Sequence, residues 1–358
     1  PCAPALGRGV PGDVRSVAPV VCFASGHPVA GEGGAGMGPP TCGSQPTQAS
    51  DEASEVAVLR ARLRDQELAL PERFRALFAL RNIPCDAAAE ALMDTFDDPS
   101  ALLRHELAFA LGQMEAQVAS AKLRDVLADK QEHPMVRHEA AEALGALGRP
   151  ELLELLRGFA DDRAECQEVQ QTCELAVKRI EAAQRGVSSY SPDTAAYKTV
   201  DPAPSLPLDT PLEELKSILN DNGAPLDTRY GALFALRDQE SRGAAGSERA
   251  SACAAAIADA LPGCNSAVLR HEMAYALGQL QVPDPRALRT LVATLARSEE
   301  NAMVRHEAAE ALGAIADDSS LTELRKYLRD DELIVAQSCQ IALDIADHER
   351  SDQLEYVA

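Results

Sequence analysis

Met135-Val136-Arg137-His138-Glu139-Ala140-Ala141-Glu142-Ala143-Leu144-Gly145-Ala146 occurs twice in this chain of 358 residues, because residues 303–314 repeat it without a change. A looser version precedes each copy, at residues 103–113 and 269–279. All four segments carry Arg-His-Glu followed by Ala-Leu-Gly. Helix packing accounts for Ala, Leu and Gly at such intervals, but it has no use for His-Glu in every copy. The stretch therefore indicates both a repeated helical fold and a chemical function.

Apolar residues elsewhere in the chain follow a helical spacing. Val56, Leu59 and Leu63 recur at steps of three and four residues, as the buried face of one helix requires. Polar turns such as Asp97-Asp98-Pro99-Ser100 separate successive helices. The motif returns after 33 residues in the first part of the chain, a period typical of a helical solenoid. We predict an all-α fold, an α-solenoid of eight helical-hairpin repeats.

The second part of the chain repeats the first, which divides the solenoid into two pseudo-symmetric halves. Residues 70–81 are echoed by residues 226–237, and both end in Ala-Leu-Phe-Ala-Leu-Arg. An insert at 238–251 lengthens one turn of the second half and is predicted to be a mobile loop. The predicted division is a disordered Gly/Pro-rich tail at 1–52, a four-repeat half at 53–183, an extended linker at 184–209, a four-repeat half at 210–348 and a short tail at 349–358.

The chain is strongly acidic, with a formal net charge of -22. Such a charge repels nucleic acid, whose phosphates require clustered Lys and Arg, and it attracts basic partners. The alternative is that acidity only keeps the protein in solution. Nine scattered cysteines without a Cys-x-x-Cys pair indicate reduced thiols and a cytoplasmic location. No apolar run reaches the roughly 18 residues of a membrane span, so neither nucleic acid nor a membrane is a predicted partner.

The His-Glu pairs are confined to the two inner units of each half. When the units are aligned on their Ala-Leu step, the His position holds Phe74, His105, His138 and Gln171 in the first half and Tyr230, His271, His306 and Gln337 in the second. The Glu position holds Arg75, Glu106, Glu139 and Thr172, then Gly231, Glu272, Glu307 and Ser338. A purely architectural role would not distinguish inner from outer units in both halves alike.

Imidazole nitrogens and carboxylate oxygens are together suited to iron, manganese or zinc. Two imidazoles with one carboxylate leave open positions on a ferrous ion, which lets that ion react with oxygen. No cysteine falls at the aligned positions, which argues against a thiolate zinc site. A single His in such a helix is more often packed, and a single Glu is more often solvated. Because an aligned fourfold occurrence has no packing explanation, we predict a metal centre.

Other polar residues near the motif have simpler interpretations. The arginines that precede the pairs are predicted to contact the metal ligands or to bridge neighbouring helices, and to orient Glu through charge-assisted hydrogen bonds, with helix capping between units as the alternative. These arginines are Arg104, Arg137, Arg270 and Arg305. The remaining histidines, His27, His133 and His348, are predicted to lie outside the metal centre.

The four Arg-His-Glu segments, placed in the inner repeats of two four-repeat halves, resemble the deoxyhypusine hydroxylase family. The linker segment Tyr-Lys-Thr-Val-Asp-Pro-Ala-Pro at 197–204 is similar to that family's segment between the halves. The resemblance covers about residues 54–346 and leaves the N-terminal tail unexplained. It implies a HEAT-repeat di-iron monooxygenase with two Fe(2+) per chain. The implied substrate is the deoxyhypusine form of translation initiation factor 5A, which is hydroxylated to hypusine with molecular oxygen.

The resemblance also implies roles for the motif residues. Its implied iron ligands are His105, His138, His271 and His306, with Glu139 and Glu307 as the first carboxylate ligands. Glu106 and Glu272 either complete the metal-binding set or act as catalytic residues that hold the cationic substrate, and both interpretations stay open. In the implied reaction, one oxygen atom enters a C–H bond and the other leaves as water.

Two alternatives come from other functional classes. One is a non-enzymatic HEAT-repeat scaffold or a bilin-lyase-like protein, because such repeats share the Arg and the Ala-Leu-Gly of the motif. They have no reason to carry His-Glu in the inner units only. The other is a dinuclear zinc or manganese hydrolase, which uses the same ligand types. The metal content of the protein distinguishes these alternatives.

Overall fold

The computed structural model describes residues 46–186, 197, 199–240 and 248–350. Its helices are α1 Pro46–Arg64, α2 Leu70–Arg81, α3 Asp86–Met93, α4 Ala101–Gln113, α5 Ser120–Ala128, α6 Pro134–Leu147, α7 Leu153–Asp161, α8 Gln167–Gln184, α9 Leu212–Asn220, α10 Leu226–Glu240, α11 Glu248–Ala260, α12 Ala267–Leu280, α13 Pro285–Ala296, α14 Ala302–Ile315, α15 Asp318–Leu324 and α16 Leu333–Arg350. Within these residues there is no β-strand. The predicted all-α solenoid is confirmed.

The sixteen helices form eight consecutive pairs, and the second helix of each pair belongs to an inner layer. In that layer α4 packs against α6, α6 against α8, α12 against α14 and α14 against α16. The glycine of the motif permits this close approach. A Cβ atom on Gly145 would lie 2.8 Å from the Cβ of Ala176, and one on Gly313 would lie 2.6 Å from the Cβ of Ala342. Ala-Leu-Gly therefore serves packing, as the sequence indicated.

The inner layer closes on itself, because α16 contacts α2 and α4 while α8 contacts α10 and α12. Two matched hydrogen bonds cross these seams. The Ser100 hydroxyl donates to Gln337 over 2.9 Å, and the Ser266 hydroxyl donates to Gln171 over 2.7 Å. Both glutamines occupy the His position of an outer unit. The two halves of the chain therefore face each other around a shared centre.

The motif arginines connect successive units and do not orient the motif glutamates. Arg137 donates to the Leu127 carbonyl over 2.9 Å and binds both Glu165 oxygens at 2.7 and 2.6 Å. The bonds from Arg137 lower the pKa of Glu165 from 4.5 to about 2. Arg305 makes the same contacts with the Leu295 carbonyl and Asp330, Arg104 pairs with Glu132, and Arg270 pairs with Glu300. The predicted interhelical partners are confirmed, but these bonds reach carboxylates outside the motif, so the predicted orientation of the motif glutamates is wrong and capping between units accounts for the carbonyl contacts.

Three segments differ from their predicted form or lie outside the description. Helix α1 begins at Pro46, so residues 46–52 of the predicted disordered tail are helical, and the helix starts earlier than the periodicity near Ser54 indicates. The predicted loop at 238–251 is helical at both of its described ends: α10 continues to Glu240, α11 begins at Glu248, and Asp238 is buried against Arg237 at 2.8 Å. Residues 1–45, 187–196, 198, 241–247 and 351–358 lie outside the described residues, so most of both predicted tails and most of the start of the linker do too. The boundaries of the two halves stay a prediction.

None of the described helices is both long enough and apolar enough to span a membrane.

Phe74 tests the packing role of an outer unit, since it occupies the His position and is 2% exposed. We expect Phe74→Ala to lower the free energy of unfolding by about 3–5 kcal/mol, because it removes a buried ring and leaves a cavity. The measurement is urea unfolding followed by circular dichroism. Val58→Ala, at a position 58% exposed, is the control and should change stability by less than about 0.5 kcal/mol. Equal effects of the two changes would contradict the prediction.

Candidate metal centre

Four inner helices, α4, α6, α12 and α14, bring the four motif histidines together. Their ring centroids lie 5.0 Å apart for His105–His306, 5.5 Å for His138–His271 and His271–His306, and 6.1 Å for His105–His138 and His105–His271. All eight His and Glu side chains of the motif are buried, none with more than 8% exposure. The structure thus gathers every predicted site residue at the meeting point of the two halves.

The starts of these helices explain why the pairs are held in register. Ser100 and Ser266 accept the backbone N–H of the third residue beyond them, and His133 and Asn301 accept that of the second. Such caps satisfy N–H groups that have no partner inside the helix. The His-Glu pair follows within the first turns of each helix. His133 is a capping residue, which agrees with its predicted place outside the centre.

One carboxylate oxygen lies between two imidazoles in each half. The Oε2 atom of Glu139 is 3.2 Å from His105 Nε2 and 3.4 Å from His138 Nε2. The Oε2 atom of Glu307 is 3.1 Å from His271 Nε2 and 3.5 Å from His306 Nε2. Donor atoms that share an ion at about 2.0–2.2 Å lie roughly 3 Å apart, so these spacings suit metal ligation.

The four Nε2 atoms of His105, His138, His271 and His306 are buried and have no hydrogen-bond partner. A buried nitrogen without a partner is costly, and a metal ion would relieve that cost at each of them. Three sets of ligand atoms are compact enough for one ion: His105 with His138 and Glu139, His105 with His271 and His306, and His306 with Glu307 and Glu310. The side chains present therefore fit a metal centre, and the second set joins the two halves.

The pKa values of the clustered histidines are shifted in opposite directions. Burial, followed by the neighbouring histidines, lowers the pKa of His138 and of His306 well below the usual value. Burial acts in the same direction on His105, but its contacts with Glu106 and Glu139 outweigh it and raise the pKa of His105 well above that value. The cluster thus holds neutral imidazoles beside one that favours a proton. A metal ion binds the neutral form, so its binding displaces that proton.

A cavity of about 30 Å³ adjoins the cluster. One water needs about 10–15 Å³, so the cavity has room for one or two water-sized molecules. Its walls include six motif side chains, those of His105, Glu106, Glu139, His271, Glu272 and Glu307. His138 and His306 lie behind this wall. Glu106 and Glu272, whose roles the sequence left open, thus face the cavity from opposite halves.

Four further lining residues, which were not predicted from the sequence, lie one helical turn beyond the motif histidines. They are Phe109, Glu142, Tyr275 and Glu310. Glu310 Oε1 is 3.3 Å from His306 Nδ1, and the rings of Phe109 and Tyr275 meet edge to face at 6.1 Å. The sequence does contain a signal for Glu142 and Glu310. Both belong to the unchanged twelve-residue repeat, and each lies four residues after a motif histidine, on the same helix face.

The linker forms the remaining wall through residues 199–202. Asp201 anchors it, with its carboxylate bound by Arg237 at 3.0 and 2.6 Å and its carbonyl bound by Arg179. The backbone N–H of Val200 donates to the side-chain oxygen of Gln113 over 3.0 Å. The segment similar to the family's linker therefore covers the centre, which nothing in its sequence indicated.

Comparison with known proteins gives a consistent result. Models of HEAT repeats match residues 89–178 and 254–344, and a model of the PBS lyase HEAT-like repeat matches residues 72–98. Deoxyhypusine hydroxylase of Homo sapiens is 46% identical over 307 residues, which cover 84% of this chain and 94% of that protein. Deoxyhypusine hydroxylase-B of Oryza sativa subsp. japonica is 46% identical over 291 residues, 81% of this chain and 92% of its own. The solved structure of human deoxyhypusine hydroxylase in complex with glycerol superposes with a TM-score of 0.77 at 44% identity, covering 85% of this chain and all of the other.

The pKa of one cavity carboxylate predicts how the stability of the protein depends on pH. Burial, followed by the carboxylates Glu106 and Glu307, raises the pKa of Glu310 well above its usual range. A carboxyl group whose pKa is higher in the folded protein favours folding at low pH and loses that contribution as the pH rises. We expect Glu310→Gln, treated with EDTA, to gain stability relative to the unmodified protein as the pH rises from about 5 to 8.

Urea unfolding at several pH values measures this difference. Glu154→Gln, at an exposed position, is the control and should follow the unmodified protein at every pH. Parallel profiles for Glu310→Gln and the unmodified protein would contradict the prediction.

Proposed function

Because the chain belongs to the deoxyhypusine hydroxylase family, we propose that it hydroxylates the deoxyhypusine side chain of translation initiation factor 5A, using two iron ions and molecular oxygen. The observation that carries this proposal is the convergence of four imidazoles and four carboxylates from both halves of the chain at one buried point. Packing alone gives no reason to bury eight ionisable groups together, and their ligand types suit iron. A HEAT-repeat scaffold or a bilin-lyase-like protein would not need this cluster.

We assign six of the eight motif side chains to the metal in two pseudo-symmetric sets. His105, His138 and Glu139 form one set, because Glu139 Oε2 lies between the two imidazoles. His271, His306 and Glu307 form the other for the same reason. Glu106 and Glu272 stand beside these sets. Iron held there would supply the activation of oxygen that an amino-acid side chain cannot perform.

Glu106 and Glu272 are proposed as the catalytic residues that hold the cationic substrate. Both line the cavity, and neither is more than 5% exposed. Burial, followed by Glu142, raises the pKa of Glu272 well above its usual range, so an incoming ammonium group would lower the cost of its negative charge. The aromatic pair Phe109 and Tyr275 offers apolar surface for the methylene groups of that substrate. The closed inner layer of helices and the linker exclude bulk water from the reacting C–H bond.

The proposed partner is a basic protein segment that carries the deoxyhypusine residue. Deoxyhypusine has two amino groups, so the net charge of -22 attracts it electrostatically. We propose a cytoplasmic location, which the free thiols of all six described cysteines support. A zinc or manganese hydrolase is the second candidate, because the same ligand types suit those ions.

Metal analysis tests the centre directly. We expect the protein to retain about two irons per chain after anaerobic loading, since the ligands form two sets. His138→Ala and His306→Ala should each lose one of them and abolish hydroxylation, with little change in helix content. His133→Asn keeps a capping side chain outside the cluster and should retain both ions. A folded protein that binds no stoichiometric metal, or hydroxylation by the doubly substituted protein, would refute the proposal.

The acidic charge predicts how substrate binding depends on salt. Charges in water are screened over about 8–10 Å at ordinary ionic strength, so attraction between the acidic protein and a cationic substrate weakens as salt rises. We expect the affinity for the deoxyhypusine-containing factor to fall across a salt series. The same factor with its deoxyhypusine amines acetylated serves as the control and should bind less tightly at every ionic strength. Binding that ignores both salt and acetylation would mean that the acidity serves only solubility.

A further inference from the structure

Two hydroxyl groups of outer units contact histidines of the metal centre at Nδ1, the ring nitrogen on the side away from the motif glutamates. Thr172 and Ser338 occupy the Glu position in the last unit of each half, where no metal ligand was predicted. Thr172 Oγ1 lies 3.0 Å from His138 Nδ1, and Ser338 Oγ lies 3.3 Å from His306 Nδ1. Thr172 is 1% exposed and Ser338 is fully buried. The same contact therefore occurs at the same register in both halves.

The direction of the first contact follows from the other partner of the hydroxyl. Thr172 Oγ1 donates its hydrogen to the Glu168 carbonyl over 2.9 Å. A hydroxyl has one hydrogen, so toward the ring this oxygen can only accept. His138 must then carry its proton on Nδ1, which leaves the lone pair on Nε2. That nitrogen is the one without a hydrogen-bond partner, and it faces Glu139 Oε2.

In the second half the matching ring nitrogen faces two oxygens. His306 Nδ1 faces the Ser338 hydroxyl and Glu310 Oε1, each at 3.3 Å. Its Nε2 is buried without a hydrogen-bond partner and points to the shared Glu307 oxygen. By contrast, His105 Nδ1 faces Glu106 of its own motif at 3.4 Å. The second histidine of each half thus depends on the neighbouring outer unit for its orientation.

We propose that Thr172 and Ser338 are positioning residues that hold His138 and His306 in the tautomer and ring orientation that presents Nε2 to the metal. The inference rests on the proposed metal centre. It assigns a function to the outer unit of each half, which supplies the groups that fix the direction of the ligands. Groups that accept the second ring N–H of a ligating histidine fix its tautomer and raise its affinity for the ion.

The test substitutes the hydroxyls and reads both the tautomer and the metal affinity. Thr172→Val preserves shape and removes the hydroxyl, Thr172→Ser keeps the hydroxyl, and Ser338→Ala is an independent change in the other half. Thr95→Val is the matched control, because Thr95 is also buried and donates to the carbonyl four residues before it, that of Ala91. Nitrogen-15 chemical shifts of labelled histidine rings report the tautomer in EDTA-treated protein. Competition with a chelator reports the affinity for Fe(2+) and for Zn(2+).

We expect Thr172→Val and Ser338→Ala each to lose the Nδ1–H preference of the contacted histidine and to weaken metal binding by about 10–100-fold. Thr172→Ser and Thr95→Val should match the unmodified protein in both measurements. Unchanged tautomers and affinities in Thr172→Val and Ser338→Ala would overturn the inference. Loss in Thr172→Ser would also overturn it, since packing of the methyl group would then be responsible. If the unmodified protein binds no metal, the proposed function fails, whereas the tautomer shifts still decide the hydroxyl contacts.

Discussion

The burial of eight ionisable side chains at one point is the constraint on which the rest of this structure depends. An isolated carboxylate or imidazolium in a protein interior costs several kcal/mol unless it is paired. Glu139 and Glu307 each meet two imidazoles through their Nε2 atoms, whereas the Nδ1 atoms of His138 and His306 face the hydroxyls of outer units. Burial and neighbouring carboxylates raise the pKa of Glu272 and of Glu310, so a bound cation would lower the cost of their negative charge.

This constraint requires both halves of the chain, which explains why the solenoid closes. An open array would leave each pair of motifs facing water. The matched bonds of Ser100 with Gln337 and Ser266 with Gln171 hold the halves together beside the cluster. The linker then covers the centre, anchored by Asp201 to Arg237. The outer units thus have definite functions, although they carry no motif of their own.

Packing and chemistry use different residues of the same repeat. Arg137 and Arg305 bind carbonyls and carboxylates of adjacent turns, and Gly145 and Gly313 admit the next inner helix. His and Glu point to the centre from the same helices. Since rigid elements with satisfied polar groups hold functional side chains more accurately than loops do, this division makes a precise site from simple units.

The sequence by itself determined the helical units, their number and the eight motif residues, because each depends on spacing within about 35 residues, which periodicity records. It also contained a sign of Glu142 and Glu310, which belong to the unchanged repeat and lie one helical turn beyond the motif histidines. Only the tertiary structure decided the partners of the arginines, the place of the linker over the cavity and the contacts of Thr172 and Ser338. It also decided that His105 lies closer to His306 of the other half than to His138 of its own. The physical reason is that these contacts join neighbouring units or opposite halves, so they depend on how the helices stack and how the ring closes, and a repeat pattern carries no record of either.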